Sequence, residues 1–282
     1  MRLFVCILLG TAACASRPSA PAPRATTPVA TETPTIETPS IETIRPGLTV
    51  QSVAPDAWVV THVEVHDSNV LLVRLPDGTV LICSSPFDSD TTRALLGWAR
   101  ARLAPTRLVA VNTHWHLDGT GGNAAYHEAG VVTYASTETQ ALSLARGPSM
   151  RSEAAEGLAP HVAERVRMTP VEPARHTFDP ARGLTLTFGG ERVEVTYPGP
   201  AHSHDNVVVY LPARGLLFGG CMLKVGDSIG YLGDASLESW EPALARLRAL
   251  GATVVVPGHG RPGGPEILDN TARLVREARA AR

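Results

Sequence analysis

From about residue 47, the chain alternates twice between a block of short apolar strands and a block of helical periodicity. In the first half, the "PDG" turn at 76–78 predicts a hairpin, and the residues at 89–104 predict a helix. The strands of the second half are followed by helical patterns over 236–250 and about 265–281. Two strand-rich halves with helices outside them predict an α/β fold, a four-layer α/β/β/α sandwich.

The first 14 residues, "MRLFVCILLGTAAC", resemble a secretory signal. Arg2 precedes an apolar run that is too short to span a bilayer, and small residues precede Cys14. We therefore expect export to the periplasm, with a lipidated Cys14 that anchors the protein to the outer membrane. Ordinary cleavage nearby, for instance after Ala15, would instead leave a soluble periplasmic protein.

The segment 15–46 is rich in Pro, Thr, Ala and Glu. This composition cannot bury a core and predicts a disordered tether. The remaining residues, 47–282, are predicted to form one catalytic domain. The formal net charge of −2 and the low aromatic content argue against a nucleic-acid surface. We expect a monomer without a nucleic-acid partner.

Two histidines stand close together after a predicted strand, in the segment "NTHWHLDG" at 112–119. His114 and His116 are two residues apart, so their imidazoles point the same way along extended backbone. Asp118 follows them directly. The spacing His-x-His-x-Asp-Gly indicates a metal site more specifically than a histidine pair alone.

Three further segments offer metal ligands near predicted strands: His202 and His204 in "AHSHDN", Cys221 in "LFGGCMLK", and His259 in "PGHG". Zinc binds imidazole, thiolate and carboxylate, usually with four ligands in all. The residue types sort into two sites, one of His114, His116 and His202 and one of Asp118, Cys221 and His259.

Each segment also has a simpler interpretation when it is taken alone. A histidine pair can lie in a solvated loop, His259 can be a turn residue, and His204 suits a rim better than a ligand position. In an exported protein, Cys83 and Cys221 could form a disulfide.

Taken together, "NTHWHLDGTGGN", "YPGPAHSHDNVVVYLP", "LFGGCMLK", "YLGDA" and "VPGHG" resemble class B metallo-β-lactamases, in the di-zinc subclass with three-His and Asp-Cys-His sites. The resemblance runs from about residue 48 to 280. Relatives such as glyoxalase II usually have His where this chain has Gly119 and Asp where it has Cys221. The mono-zinc subclass has Asn at the position of His114. The resemblance implies the metallo-β-lactamase fold.

The resemblance also implies an activity, the hydrolysis of the β-lactam amide by a zinc-bound hydroxide. Two Zn²⁺ ions per chain would be held by the six ligands, and Asp118 would also orient the nucleophile. A thiolate ligand at Cys221 would leave Cys83 as a buried free thiol near the site. The remaining alternatives are a hydrolase of another ester, thioester or lactone, and a non-catalytic zinc-binding lipoprotein.

All but one of the 25 Lys and Arg residues are arginine, and the exception is Lys224. In the family, a lysine three residues beyond the cysteine ligand pairs with the carboxylate of the β-lactam substrate. A compact ammonium on a flexible stem differs from the planar guanidinium used elsewhere in the chain. A chance surface lysine is the alternative.

The chain departs from the family pattern at several positions. Tyr231 stands where Asn often helps to hold the substrate, and Ser84 stands where an Asp is common behind the ligands. The hairpin near 60–69 is several residues short, which leaves fewer contacts to hold the substrate. We expect Ser84, His204 and Asn206 to support the ligands from behind or to line the rim.

Overall fold

The computed structural model describes residues 40–282. The predicted signal, the lipidation site at Cys14 and nearly all of the predicted tether lie outside these described residues. The first sheet contains eight strands in chain order: β1 (Ile41–Arg45), β2 (Leu48–Ala54), β3 (Ala57–His62), β4 (Ser68–Arg74), β5 (Thr79–Cys83), β6 (Arg107–Val111), β7 (Val132–Ser136) and β8 (His176–Phe178).

The second sheet contains five strands: β9 (Leu184–Phe188), β10 (Glu191–Thr196), β11 (Val208–Leu211), β12 (Leu216–Gly220) and β13 (Val254–Pro257). Seven helices are described: α1 (Ser89–Leu103), α2 (Leu117–Thr120), α3 (Asn123–Glu128), α4 (Thr137–Ala154), α5 (Pro160–Met168), α6 (Leu237–Arg248) and α7 (Glu266–Ala280). None of the helices among the described residues is long and apolar enough to cross a membrane.

Alternation along the strands explains why the two sheets stack. In β5, Leu81 and Cys83 enter the core between the sheets, whereas Val80 and Ile82 face α1 and α3. In β12, Phe218 enters the same central core, and Leu217 packs against α6 and α7. The layers therefore run helix, sheet, sheet, helix, and the predicted sandwich is confirmed.

The hairpin at 76–78 and the helices α1 and α6 form where the sequence predicted them, and local interactions explain why. The "PDG" turn joins β4 and β5 as an antiparallel pair. The carboxylate of Asp88 caps α1 by accepting the backbone N–H of Thr91, which fixes where that helix begins. Apolar residues of α6 are buried at helical spacing, at Leu237, Trp240 and Leu247.

The boundary predicted at residue 47 is wrong, because the sheet begins earlier. Residues of β1 pair antiparallel with β2, for example Glu42 with Val50. The side chain of Glu42 also accepts hydrogen bonds from Trp98 Nε1 and from Arg102, both on α1. The predicted tether contains a short repeat, "ETPTI–ETPSI–ETI", at 32–44. Its last copy, 42–44, lies in the edge strand β1, where a neighbouring strand and helix satisfy its polar groups.

Candidate metal centre

Strand ends bring the predicted ligands together at one edge of the sandwich. His114 and His116 follow β6, Cys221 follows β12, and His259 follows β13. The pairs β5–β6 and β12–β13 are parallel, so the carboxyl ends within each pair lie side by side. The loop before β11 adds His202 from the same edge. The candidates for both predicted sites therefore lie at one edge of the sandwich.

Three histidines form the first cluster. Ring nitrogens of His114, His116 and His202 all lie within 4.8 Å of one another, and all three side chains are buried. His116 Nδ1 lies 3.2 Å from His202 Nε2. Burial, with the Lys224 charge as a second cause, holds the pKa of His202 well below its usual range. A neutral imidazole is the form that binds a metal ion.

The second cluster is built around Asp118. Its Oδ2 lies 2.7 Å from Cys221 Sγ and 3.2 Å from His259 Nε2, and its Oδ1 lies 3.2 Å from His114 Nε2. The ligand atoms of His114, Asp118 and Cys221 lie within 4.8 Å of one another, whereas His259 joins this group only through Asp118. Asp118 therefore connects the two predicted ligand sets.

The close approach of a cysteine sulfur and a carboxylate in this buried cluster suits a bound cation. Burial, with the charge of Asp118, raises the pKa of the Cys221 thiol well above its usual range. Burial also opposes ionisation of Asp118, but the charges and hydrogen bonds of His114 and His259 together outweigh it and hold the Asp118 pKa well below the usual value. A thiolate beside that carboxylate in a buried site needs a positive charge close by.

The donors present fit a zinc ion. His114 Nε2 is buried among the ligand candidates of both clusters, and within the described residues it makes no well-aligned hydrogen bond, although Asp118 Oδ1 lies 3.2 Å away. Imidazole, thiolate and carboxylate are the ligands that zinc takes, and the second cluster offers one of each. His114, His116 and His202 would hold one ion, and Asp118, Cys221 and His259 would hold another.

Hydrogen bonds behind the histidines set their orientation. Asp234 Oδ2 lies 2.9 Å from His116 Nε2, so the opposite nitrogen of His116 faces the cluster. Arg146 forms an ion pair with the other oxygen of Asp234. The motif "YLGDA" contains Asp234, yet sequence reasoning assigned it no role, and no sequence signal pointed to Arg146.

A second chain of polar contacts lies behind His114. Ser84 Oγ lies 2.6 Å from Thr113 Oγ1, which in turn lies 3.4 Å from His114 Nδ1. Both hydroxyl residues are buried. Ser84 thus stands behind the ligands, where the sequence placed it, and Thr113 links it to the imidazole.

The β3–β4 turn, residues 63–67, is short, as the sequence suggested. It is nevertheless fixed in place, because the carbonyl of His66 lies 2.8 Å from His259 Nδ1 and accepts a hydrogen bond from it. Val65 is fully buried, and Glu64 pairs with Arg165 of α5 at 2.7 Å. The turn therefore orients one metal-ligand candidate instead of forming a loose flap.

A cavity of 630 Å³ opens beside the clusters. One part of its lining is apolar, with Phe87, Met150 and Ala154. Lys224 also lines it, and its side chain is only 8% exposed. A chance surface lysine is therefore wrong as an explanation. Burial lowers the pKa of Lys224, and its Nζ lies 6.0 Å from the centre of the Trp240 ring.

The other predicted residues fall in three different environments. Tyr231 lines the cavity, is 47% exposed and approaches His116 with a ring-centre distance of 5.7 Å. His204 is exposed and belongs to neither cluster. Asn206 is buried and braces the loop around His202 by accepting from the Ser203 backbone and donating to Gly199.

The cysteine pairing considered from the sequence is wrong. Cys83 and Cys221 are both free thiols. Cys83 points into the core between the sheets beside Leu81, whereas Cys221 points toward Asp118 at the edge. Cys83 is an inward-facing residue of β5, whereas Cys221 lies beyond the end of β12, so the two thiols have different surroundings.

The two stacked sheets and the edge cluster define a metal-binding protein of the αβ/βα sandwich class. The sequence pattern of the metallo-beta-lactamase superfamily matches residues 63–259. A metallo-beta-lactamase type 2 of Bacteroides fragilis is 31% identical over 200 residues, which cover 70% of this chain and 70% of that protein. One from Pseudomonas aeruginosa is 28% identical over 233 residues, covering 80% and 83% respectively.

A solved structure agrees with these relatives. The metallo-beta-lactamase from Pontibacter korlensis superposes with a TM-score of 0.68 at 32% identity, covering 81% of this chain and 99% of that chain. The chain described here belongs to the metallo-β-lactamase superfamily, which confirms the resemblance found in its motifs.

Proposed function

We propose that this protein is a zinc-dependent β-lactamase that holds two zinc ions and hydrolyses the amide bond of β-lactam antibiotics. The observation that carries the proposal is the buried contact of Cys221, Asp118 and His114 beside the three-histidine cluster, on the wall of an open cavity. Relatives named metallo-beta-lactamase type 2 support the same substrate class.

Zinc, when bound, supplies a Lewis acid that polarises a carbonyl and makes water a stronger nucleophile at neutral pH. The residues of the chain supply the rest. The ionised Asp118 carboxylate accepts a hydrogen bond from the attacking water and thereby orients it. The proton of that water passes to the leaving nitrogen of the lactam as the C–N bond breaks.

The cavity wall positions the substrate. The Lys224 ammonium faces the carboxylate that β-lactams carry on the second ring, and its low exposure reduces screening by water. Phe87, Met150 and Ala154 offer apolar surface to the side chain of the antibiotic and exclude water from the reacting carbonyl. This route forms no acyl-enzyme, so the chain needs no second lysine to activate a serine nucleophile.

The open cavity beside the ligands distinguishes this proposal from a purely structural zinc site, which is closed on all sides. To distinguish a β-lactamase from a hydrolase of lactones or thioesters, the purified protein is incubated with a penicillin, a lactone and a thioester of similar size. Mass spectrometry should find the penicillin product heavier by one water and only slow conversion of the other two. Preferred cleavage of the lactone or thioester would contradict the proposal.

We also propose that the chain is exported and held on the outer membrane through a lipidated Cys14. The support is the signal-like start and the small residues before Cys14. Fractionation of the parent and of Cys14→Ala tests the anchor. The parent should sediment with membranes and the variant should be soluble in the periplasm, whereas equal solubility of both would contradict lipidation.

A further inference from the structure

We infer that Arg146 is a positioning residue for the metal centre: it holds the Asp234 carboxylate against His116 and so fixes the nitrogen that His116 presents to the metal. This inference rests on the proposed metal site. It concerns a residue on α4 that lies 30 positions beyond His116 in the sequence and outside every ligand-bearing segment.

The Asp234 carboxylate has one donor for each of its oxygens. His116 Nε2 lies 2.9 Å from Oδ2, and Arg146 binds Oδ1. The Asp234 side chain is only 8% exposed, so water competes little for either oxygen. With Oδ1 bound to a guanidinium, the carboxylate cannot turn away from the imidazole without breaking a charge-assisted contact.

This arrangement selects one tautomer of His116. A proton on Nε2 that donates to Asp234 leaves the lone pair on Nδ1, which lies 3.2 Å from His202 Nε2 in the three-histidine cluster. A histidine that lost the Asp234 contact could place its proton on either nitrogen. The Arg146 guanidinium therefore affects the metal site indirectly, through the Asp234 carboxylate.

Trp115 holds Arg146 from a second side. The Arg146 guanidinium carbon lies 4.4 Å from the centre of a Trp115 ring, and the Trp115 ring in turn packs edge-on against His116 with centres 4.6 Å apart. Trp115 is buried. Arg146 thus contacts two of the groups that pack against the His116 ring, one aromatic and one acidic, and both contacts fix the same imidazole.

The backbone of α4 keeps Arg146 in this place. The next residue, Gly147, packs so close to Val171 that a Cβ there would meet a Val171 methyl carbon at 2.5 Å. Farther along, Met150 and Glu153 of α4 line the cavity, whereas Tyr231 lines it from the loop that ends at Asp234. The Arg146–Asp234 pair joins these two lining segments.

The test compares metal binding in Arg146→Met, Arg146→Lys, Asp234→Asn and the double variant Arg146→Met/Asp234→Asn. Arg151→Met is the matched control, since Arg151 lies on the same helix and donates to the Thr169 carbonyl at 3.0 Å without touching the clusters. Zinc affinity is measured by competition with a chromophoric chelator. The visible spectrum of the cobalt-loaded protein reports ligand geometry, and thermal unfolding of the metal-free protein reports stability.

Arg146→Met should weaken zinc binding by about 10-fold, the low end for losing a partner behind a ligand. It should alter the cobalt spectrum, and Arg146→Lys should restore part of the affinity. In the Asp234→Asn background, the same change should cost less than about 2-fold, because the two residues act as one unit. Arg151→Met should leave affinity and spectrum unchanged even if it lowers the unfolding temperature.

Two results would overturn this inference without affecting the proposed function. The first is that Arg146→Met leaves both zinc affinity and the cobalt spectrum unchanged. The second is that Arg146→Met lowers zinc affinity by the same factor in the parent and in Asp234→Asn, which would mean that Arg146 acts independently of Asp234. A parent protein that takes up no zinc would instead overturn the proposed function, and the inference with it.

Discussion

The Sγ of Cys221 lies 2.7 Å from Oδ2 of Asp118, and both side chains are buried. A thiolate and a carboxylate share this buried space stably only when a cation neutralises them, so we predict that Cys221→Ser loses one of two zinc ions. A hydroxyl is a poor substitute for a thiolate ligand of zinc. Elemental analysis of the purified variants measures the loss. Cys83→Ala, in the core, should keep both ions, and full double occupancy in Cys221→Ser would refute the ligand assignment.

Lys224 should govern the affinity for the substrate carboxylate. A charge-assisted contact in this cleft is worth about 1–3 kcal/mol, which is roughly 5- to 150-fold at about 1.4 kcal/mol per decade. Lys224→Met should therefore raise KM by about 10-fold or more if the contact exists in both ground and transition states. Zinc content should not change, and Lys224→Arg should retain part of the affinity. Steady-state kinetics on a penicillin, a cephalosporin and a carbapenem decide, and three unchanged KM values would show that this lysine does not hold the substrate.

We expect the substrate to bind more weakly with Tyr231 than it would with an asparagine at this position. Its ring lies beside His116 in the cavity, so an amide at this position would face the substrate. We predict that Tyr231→Asn lowers KM, because the amide can donate a hydrogen bond to the bound antibiotic. Tyr231→Ala separates this effect from relief of crowding. A KM that falls equally in both variants would attribute the gain to space alone.

His62 should make the protein sensitive to acid. It is 1% exposed, and burial lowers its pKa from 6.5 to about 4 despite nearby Asp88 and Glu64. Between these two values the unfolded chain binds the extra proton and the folded chain does not, so stability falls as pH drops from about 6.5 to 4. The loss amounts to at most about 3 kcal/mol, at 1.36 kcal/mol for each pKa unit.

Urea unfolding of the metal-free protein at pH 7 and pH 4.5 tests this prediction. The difference in unfolding free energy between the two pH values should shrink in His62→Gln. It should stay at the parent value in His204→Gln, since His204 is exposed. Equal pH dependence of the parent and His62→Gln would contradict the assignment of acid sensitivity to His62.

The six ligand candidates could be found from the sequence because each is fixed locally. His114, Cys221 and His259 each follow a short apolar strand, so each lies at the carboxyl end of that strand. The parallel pairs β5–β6 and β12–β13 lie in two stacked sheets, which brings these strand ends together. The same local logic located α1, α6 and the hairpin at 76–78. The short β3–β4 turn was expected from comparison with the family pattern instead.

Features that depend on distant contacts could not be found in the same way. Arg146 and Asp234 are 88 positions apart, and only the packing of α4 against the loop before α6 makes them partners. The residues of β1 were assigned to the tether because their composition matches that of the preceding repeat. They form a strand because they pair with β2 and bind α1. The burial of Lys224 likewise depends on Trp240 and the cavity wall.

Hydrolysis of a chromogenic cephalosporin by the purified protein tests the central claim most directly, with activity followed before chelation, after chelation and after zinc is returned. The protein should open the lactam ring, lose the activity when the chelator removes the metal, and regain it as about two equivalents of zinc are added, since two ligand sets are present. Hydrolysis that persists in the chelated, metal-free protein, or no hydrolysis by the protein loaded with two zinc ions, would contradict the assignment of this site as a zinc-dependent β-lactamase centre.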